Sequence, residues 1–122
     1  MGAPVVHFEV VGREPEKLRA YYGELFGWDL YVDETIGYGM TDPGTNAAGR
    51  GIAGGIGGCP DASYPGHVTF YVEVPDVEAA LAQAELLGGT RLMGPVRVSE
   101  QVELGQFADP EGHVVGLVKV AS

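Results

Sequence analysis

The chain has 122 residues, 45% of them hydrophobic, with 20 glycines and one cysteine. That length suits one globular domain that buries a core without cross-links, and a single thiol excludes an internal disulfide or a thiolate metal cluster. Seventeen acidic residues against seven basic ones give a formal charge of −10, which argues against nucleic acid and anionic membrane surfaces as partners, since both would repel the chain. No apolar run reaches the ~20 residues of a membrane span. MGAPVVHFEV lacks the basic start and apolar stretch of an export signal, so the expectation is a cytoplasmic protein.

The first predicted element is a strand over Val5–Val11, which alternates and is rich in β-formers. Pro15 stands where the first turn of a helix tolerates it. Leu18, Tyr21, Tyr22, Leu25 and Phe26 recur at helical spacing over Glu16–Phe26 and form an apolar stripe for a sheet, with Gly27 as the stop. Trp28–Val32 and Gly37–Thr41 are predicted strands, Asp42-Pro43-Gly44 a turn, and Gly51–Gly57 a glycine-rich strand. Phe26 and Trp28 are assigned to the core. The pattern then restarts. His67–Val74 is a strand, and Asp76 caps a helix over Val77–Leu87 whose buried stripe is Val77, Ala80, Leu81, Ala84 and Leu87. Strands follow at Arg91–Val98, Val102–Ala108 and His113–Val120, the last two joined by the turn at Asp109–Gly112.

Strand, helix and three strands thus occur twice, as an internal repeat. The predicted fold is α+β, a single domain of two βαβββ modules, module one over about 1–60 and module two over about 64–122. Placing His67 on His7 aligns the halves at an offset of 60. Alternation puts His7 and Glu9 on one strand face, and His67, Thr69, Tyr71 and Glu73 on one face of the corresponding strand. Val6, Phe8 and Val10, and likewise Val68, Phe70 and Val72, then turn towards the helices. His7 and His67 are the candidate catalytic groups, because imidazole moves protons near neutral pH. Glu9, Met40, Thr69, Tyr71, Gln106 and Gly116 are the candidate ligand-binding positions. His113 follows a turn glycine and reads as solvated, and Cys59 reads as an ordinary small residue. GIAGGIGG lacks the lysine of a phosphate loop, and no helix follows it.

VVHFEVV, LRAYYGELFGW, GHVTFYVEVPDVEAALAQAELLGG and FADPEGHVVGLV together resemble the vicinal oxygen chelate superfamily, which includes glyoxalase I, bleomycin-resistance proteins and extradiol dioxygenases. The resemblance implies a paired half-barrel with a shared cleft. In metal-dependent relatives it implies one divalent ion, held from the first and fourth strands of each module. His7 and His67 suit the first-strand positions. The fourth-strand positions fall on Gly54 or Gly55 and on Gly116, which offer no side-chain donor. Two imidazoles alone hold a divalent ion poorly, so no cofactor is expected. The alternative is one divalent metal ion held by His7, His67 and Glu9.

Three function classes remain open on the sequence. One is a metal-free protein that binds a small organic molecule in its cleft, in a resistance or sequestration role. The second is an enzyme of lyase, isomerase or dioxygenase-like type that uses His7 and His67 with or without a metal. The third is an interaction module without a ligand. A homodimer is compatible with each.

Overall fold

In a computed structural model that describes residues 2–45, 48–59, 61 and 63–120, the chain forms β1 (Val5–Gly12), α1 (Pro15–Phe26), β2 (Tyr31–Asp33), β3 (Tyr38–Thr41) and β4 (Ala53–Gly58), then β5 (His67–Glu73), α2 (Val77–Leu86), β6 (Thr90–Arg97), β7 (Val102–Ala108) and β8 (Val114–Val120). This is the expected α+β chain order, βαβββ twice. The predicted strand at Trp28–Val32 moves to Tyr31–Asp33. By contacts, His7–Val68 forms one compact unit and the segments flanking it form the other.

In the His7–Val68 unit the strands lie in the order β2, β3, β4, β1. β1 and β4 are parallel, and β3 is antiparallel to both β2 and β4. Helix α1 rests on β4 and ends at Gly27, whose φ of 69° is the left-handed conformation that glycine adopts without strain. No residue of α1 is fully buried, and Glu14 at its N-cap makes no side-chain capping bond. Phe26, expected in the core, is 55% exposed. It packs at 5.0 Å on the half-buried Trp28, which in turn packs at 5.2 Å on Phe8. The helix lies over β4 and leaves its C-terminal aromatics as an open cluster.

In the other unit the order is β5, β8, β7, β6, with β5 and β8 parallel and the remaining pairs antiparallel. Asp76 accepts the Ala79 N–H and caps α2 as expected. Val77 and Leu81 are fully buried against Leu117, with Val72, Val74, Ala80 and Phe107 around them. A Cβ on Gly105 would come within 2.7 Å of Val77, so this glycine lets α2 approach β7. Three apolar assignments change. Leu87 is exposed at the helix end, and Val68 and Phe70 are also exposed, because α2 lies over β6, β7 and β8 and its core takes only Val72 from β5.

The register of the repeat also changes. The helix N-caps Glu14 and Asp76 are 62 positions apart, and the parallel pair Glu9↔Gly55 corresponds to Tyr71↔Gly116. The structural counterpart of His7 is therefore Thr69, that of Glu9 is Tyr71, and His67 corresponds to Val5. Side chains on a strand repeat every two residues, so a slip of two keeps every residue on its face. The alternating pattern cannot tell 60 from 62; the helix caps can.

Candidate functional site

Strand pairing defines one face of the four-stranded sheet of the His7–Val68 unit. His7, Glu9 and Val11 on β1 stand opposite Ala53, Gly55 and Gly57 on β4. Gly55 stands opposite Met40 on β3, and Met40 and Tyr38 face Tyr31 and Asp33 on β2. The stretch of β4 on this face bears almost no side chains, and the ring of Tyr38 lies over it. A Cβ on Gly55 would fall 2.1 Å from that ring, and one on Gly57 2.6 Å.

Tyr38 brings its hydroxyl between two groups of β1. It lies 2.9 Å from Nε2 of His7 and donates to Oε1 of Glu9 at 3.2 Å. The other carboxylate oxygen of Glu9 is 2.8 Å from Nε2 of His67, and Nδ1 of His67 is 2.6 Å from the hydroxyl of Tyr64. The hydrogen count fixes the directions. Tyr38 donates to Glu9, so it accepts from His7, which carries its proton on Nε2. A carboxylate only accepts, so His67 donates to Glu9 from Nε2, while its Nδ1 shares a hydrogen bond with the Tyr64 hydroxyl. Two arms of donors thus converge on one buried carboxylate, Glu9, which is 8% exposed. Burial holds the His7 imidazole below its ordinary 6.5, outweighing the pull of the Glu9 carboxylate. Burial, with the charges of Cys59 and Glu9, raises the Tyr64 phenol above its ordinary value.

The expected site residues of the second module lie in the other unit. Thr69 is buried and donates to the carbonyl of Val114 at 2.5 Å. Tyr71 is buried opposite Gly116, where a Cβ would meet its ring at 2.5 Å, and its hydroxyl accepts from Gln106 at 3.0 Å. Met40 shares the face of Tyr38 and is exposed. His113 is exposed and bonded to Asp109 in the β7–β8 turn, as a solvated histidine should be. The Cys59 thiol, with one proton to donate, lies 3.4 Å from the carbonyl oxygen of Gly12 and 3.5 Å from that of Tyr64.

The side chains present depart from the donor set that the resemblance implied. Of the two glycines weighed on β4, Gly54 packs under Phe8, and Gly55 is the one on the site face. Gly55 and Gly116 occupy corresponding places, each covered by a tyrosine ring, and Thr69 replaces an imidazole at the counterpart of His7. Nε2 of His7 and Oε1 of Glu9 share the Tyr38 hydroxyl, and Oε2 of Glu9 bonds Nε2 of His67. Among the described residues no group of three or more His, Cys, Asp or Glu side chains is placed to hold a metal ion. Sequence reasoning missed Tyr38 and Tyr64. A signal for Tyr38 was present, since its alternation with Met40 and the bare β4 beside it called for a large ring.

No helix among the described residues is long and apolar enough to cross a membrane. The fold is shared with methylmalonyl-CoA epimerase of Streptomyces coelicolor, solved in complex with 2-nitronate-propionyl-CoA (TM-score 0.61, 16% identity, covering 98% of this chain and 99% of that one). A glyoxalase/bleomycin resistance protein/dioxygenase superfamily member from Vibrio splendidus 12B01 superposes with a TM-score of 0.64 at 12% identity, over 97% and 99% of the two chains. So does 2,2',3-trihydroxybiphenyl 1,2-dioxygenase from Sphingomonas wittichii strain RW1, with a TM-score of 0.62 at 17% identity, over all of this chain but 42% of the dioxygenase. No curated protein matches the sequence. The family model of the glyoxalase-like domain matches residues 7–118, and the chain belongs to that family.

Proposed function

We propose that this chain binds a small organic molecule without a metal ion, and that the β1–β3–β4 face around His7, Glu9 and Tyr38 anchors it. The observation that carries this reading is the pair of glycines, Gly55 and Gly116, at corresponding places on β4 and β8, each sealed by a tyrosine ring. A site so built offers hydroxyl, imidazole and one internally bonded carboxylate beside an exposed thioether and phenol, Met40 and Tyr31. A few fixed polar groups set in apolar surface are what small-molecule sites generally present. Thr69, Tyr71, Gln106 and Gly116 supply a second such face on the other unit, with sequestration of a toxic compound as the role. Thermal melting tests the reading. A true ligand at about a hundred times its Kd raises Tm by roughly 5–10 °C, and His7→Ala or Tyr38→Phe removes most of that rise. Stoichiometric Ni²⁺, Zn²⁺ or Mn²⁺ producing an equal rise would overturn it.

A second reading rests on the depressed basicity of His7. An imidazole kept neutral at pH 7 by burial accepts a proton, which suits lyase or isomerase chemistry at a C–H acid. Its signature is deuterium exchange into a substrate at a rate that falls about a hundredfold in His7→Gln.

A further inference from the structure

The connection between β4 and β5 fixes one side chain, Tyr64, from several directions. Pro65 restricts Tyr64 to an extended backbone. Gly66 follows at a φ of 96°, and a Cβ there would fall 2.1 Å from the carbonyl oxygen of Val11, so the chain passes β1 at a distance only glycine permits. The Tyr64 N–H donates to the carbonyl of Asp61 at 3.0 Å. The Tyr64 carbonyl accepts from Nε of Arg13 at 3.4 Å and lies 3.5 Å from the Cys59 thiol. Held in this way, the Tyr64 ring folds back on the ring of His67, with centroids 5.7 Å apart and planes at 74°. Its hydroxyl sits 2.6 Å from Nδ1 of His67, whose Nε2 sits 2.8 Å from Oε2 of the buried Glu9. Hydroxyl, imidazole and carboxylate thus stand in sequence, with the carboxylate buried and the half-buried Tyr64 at the other end.

We propose that these three residues form an acyl-transfer site for small carboxylic esters, with Tyr64 as the nucleophile, His67 as its general base and Glu9 as the residue that positions His67. A hydroxyl within reach of a base that a third group orients is the arrangement that activates a nucleophile, whatever the fold. With the imidazole neutral and its Nε2–H on Glu9, Nδ1 accepts and the phenol donates. Burial makes the phenol hold its proton more tightly than usual, so attack at neutral pH needs a base, and His67 is in contact with it. Tyr64 Oη bonds to the ester carbonyl carbon while its proton passes to Nδ1. The bond to the leaving oxygen breaks, and that oxygen takes the proton from Nδ1. Water then attacks the acyl-tyrosine and gives a proton to Nδ1, which returns it to Oη as the acid leaves. Ester and water become acid and alcohol, and no electrons change hands. Glu9 does not touch the substrate; its carboxylate fixes the tautomer and offsets the imidazolium that forms. The anchoring reading above rests on His7 and Tyr38 and shares only Glu9 with this site.

The probe is p-nitrophenyl acetate at neutral pH, with nitrophenolate release followed by absorbance and the acetyl groups located by peptide mass mapping. Acetyl should reach Tyr64 at least about tenfold faster than Tyr21 and Tyr31, which are more open at 61% and 74% exposure. Tyr64→Phe should remove the fast phase of release. His67→Gln should slow acetylation of Tyr64 about a hundredfold and leave that of Tyr21 and Tyr31 unchanged. Free imidazole should restore part of the Tyr64 rate in His67→Ala, a rescue that a purely structural histidine would not show. Glu9→Gln should slow it about tenfold or more and shift the downfield Nε2–H proton signal of His67. Acetyl spread evenly over the three tyrosines, acetyl confined to lysines or Cys59, or a Tyr64 rate indifferent to His67→Gln would overturn the proposal. Acetylation of Tyr64 neither requires nor precludes a ligand at His7 and Tyr38, so the two readings fail separately.

Discussion

Helix α2 sends Val77 and Leu81 fully into a core with Leu117, while α1 buries no residue outright, and the sheet beneath it is tied on its opposite face by Tyr38, Glu9 and two histidines. The chain order is the same in both units. One is held mainly by apolar packing. The other also buries Val10 and Ile56 on β1 and β4, and adds on the sheet face away from its helix a hydrogen-bonded row that only works if every donor finds its acceptor.

Leu81→Ala should break the packed unit most, costing about 3 kcal/mol by chemical denaturation, because a fully buried leucine leaves a cavity. Substituting alanine at Gly55 or Gly116 should come next, at about 1–3 kcal/mol, since the new methyl drives the Tyr38 or Tyr71 ring aside. Gly55→Ala should also shift the His7 and Glu9 side-chain signals in NMR spectra, and equal stability with unmoved rings would contradict the tyrosine-over-glycine arrangement. The helix caps sharpen the contrast further. Asp76→Ala should cost about 1 kcal/mol, whereas Glu14→Asp should add about 0.5 kcal/mol at the uncapped start of α1.

The smallest effect is the dependence on pH. Unfolded, His7 takes up a proton near 6.5; folded, burial delays that uptake to lower pH. The unfolded state then binds more protons just below 6.5. The stability present above that value is lost as pH falls through it towards the folded pKa. Denaturation midpoints measured between about pH 8 and about pH 5 should fall less steeply in His7→Gln than in the parent. An unchanged slope would mean that His7 is not the buried group responsible.

Much of the fold was legible because its signals are local. Alternation marked β1 and β5, helical spacing with Asp76 and Gly27 bounded the helices, and Asp109–Gly112 marked the last turn. His7, Glu9 and His67 were legible as candidates for the same reason: each is a polar residue interrupting a β-rich strand. Phe26, Leu87, Val68 and Phe70 were misplaced because burial depends on which strands a helix covers, and no local pattern reports that.

The sequence by itself determined the α+β class, the doubled module and the bare glycines Gly55 and Gly116, since period, punctuation and the absence of a side chain are properties of the string. Tertiary structure alone decided that Tyr38 covers Gly55, that Tyr64 closes the row at His67, and that Thr69 rather than His67 is the counterpart of His7. These are contacts between residues far apart along the chain. A two-residue slip of a strand is invisible to a two-residue period, so the positions of the helix caps and the pairing of real strands chose the register.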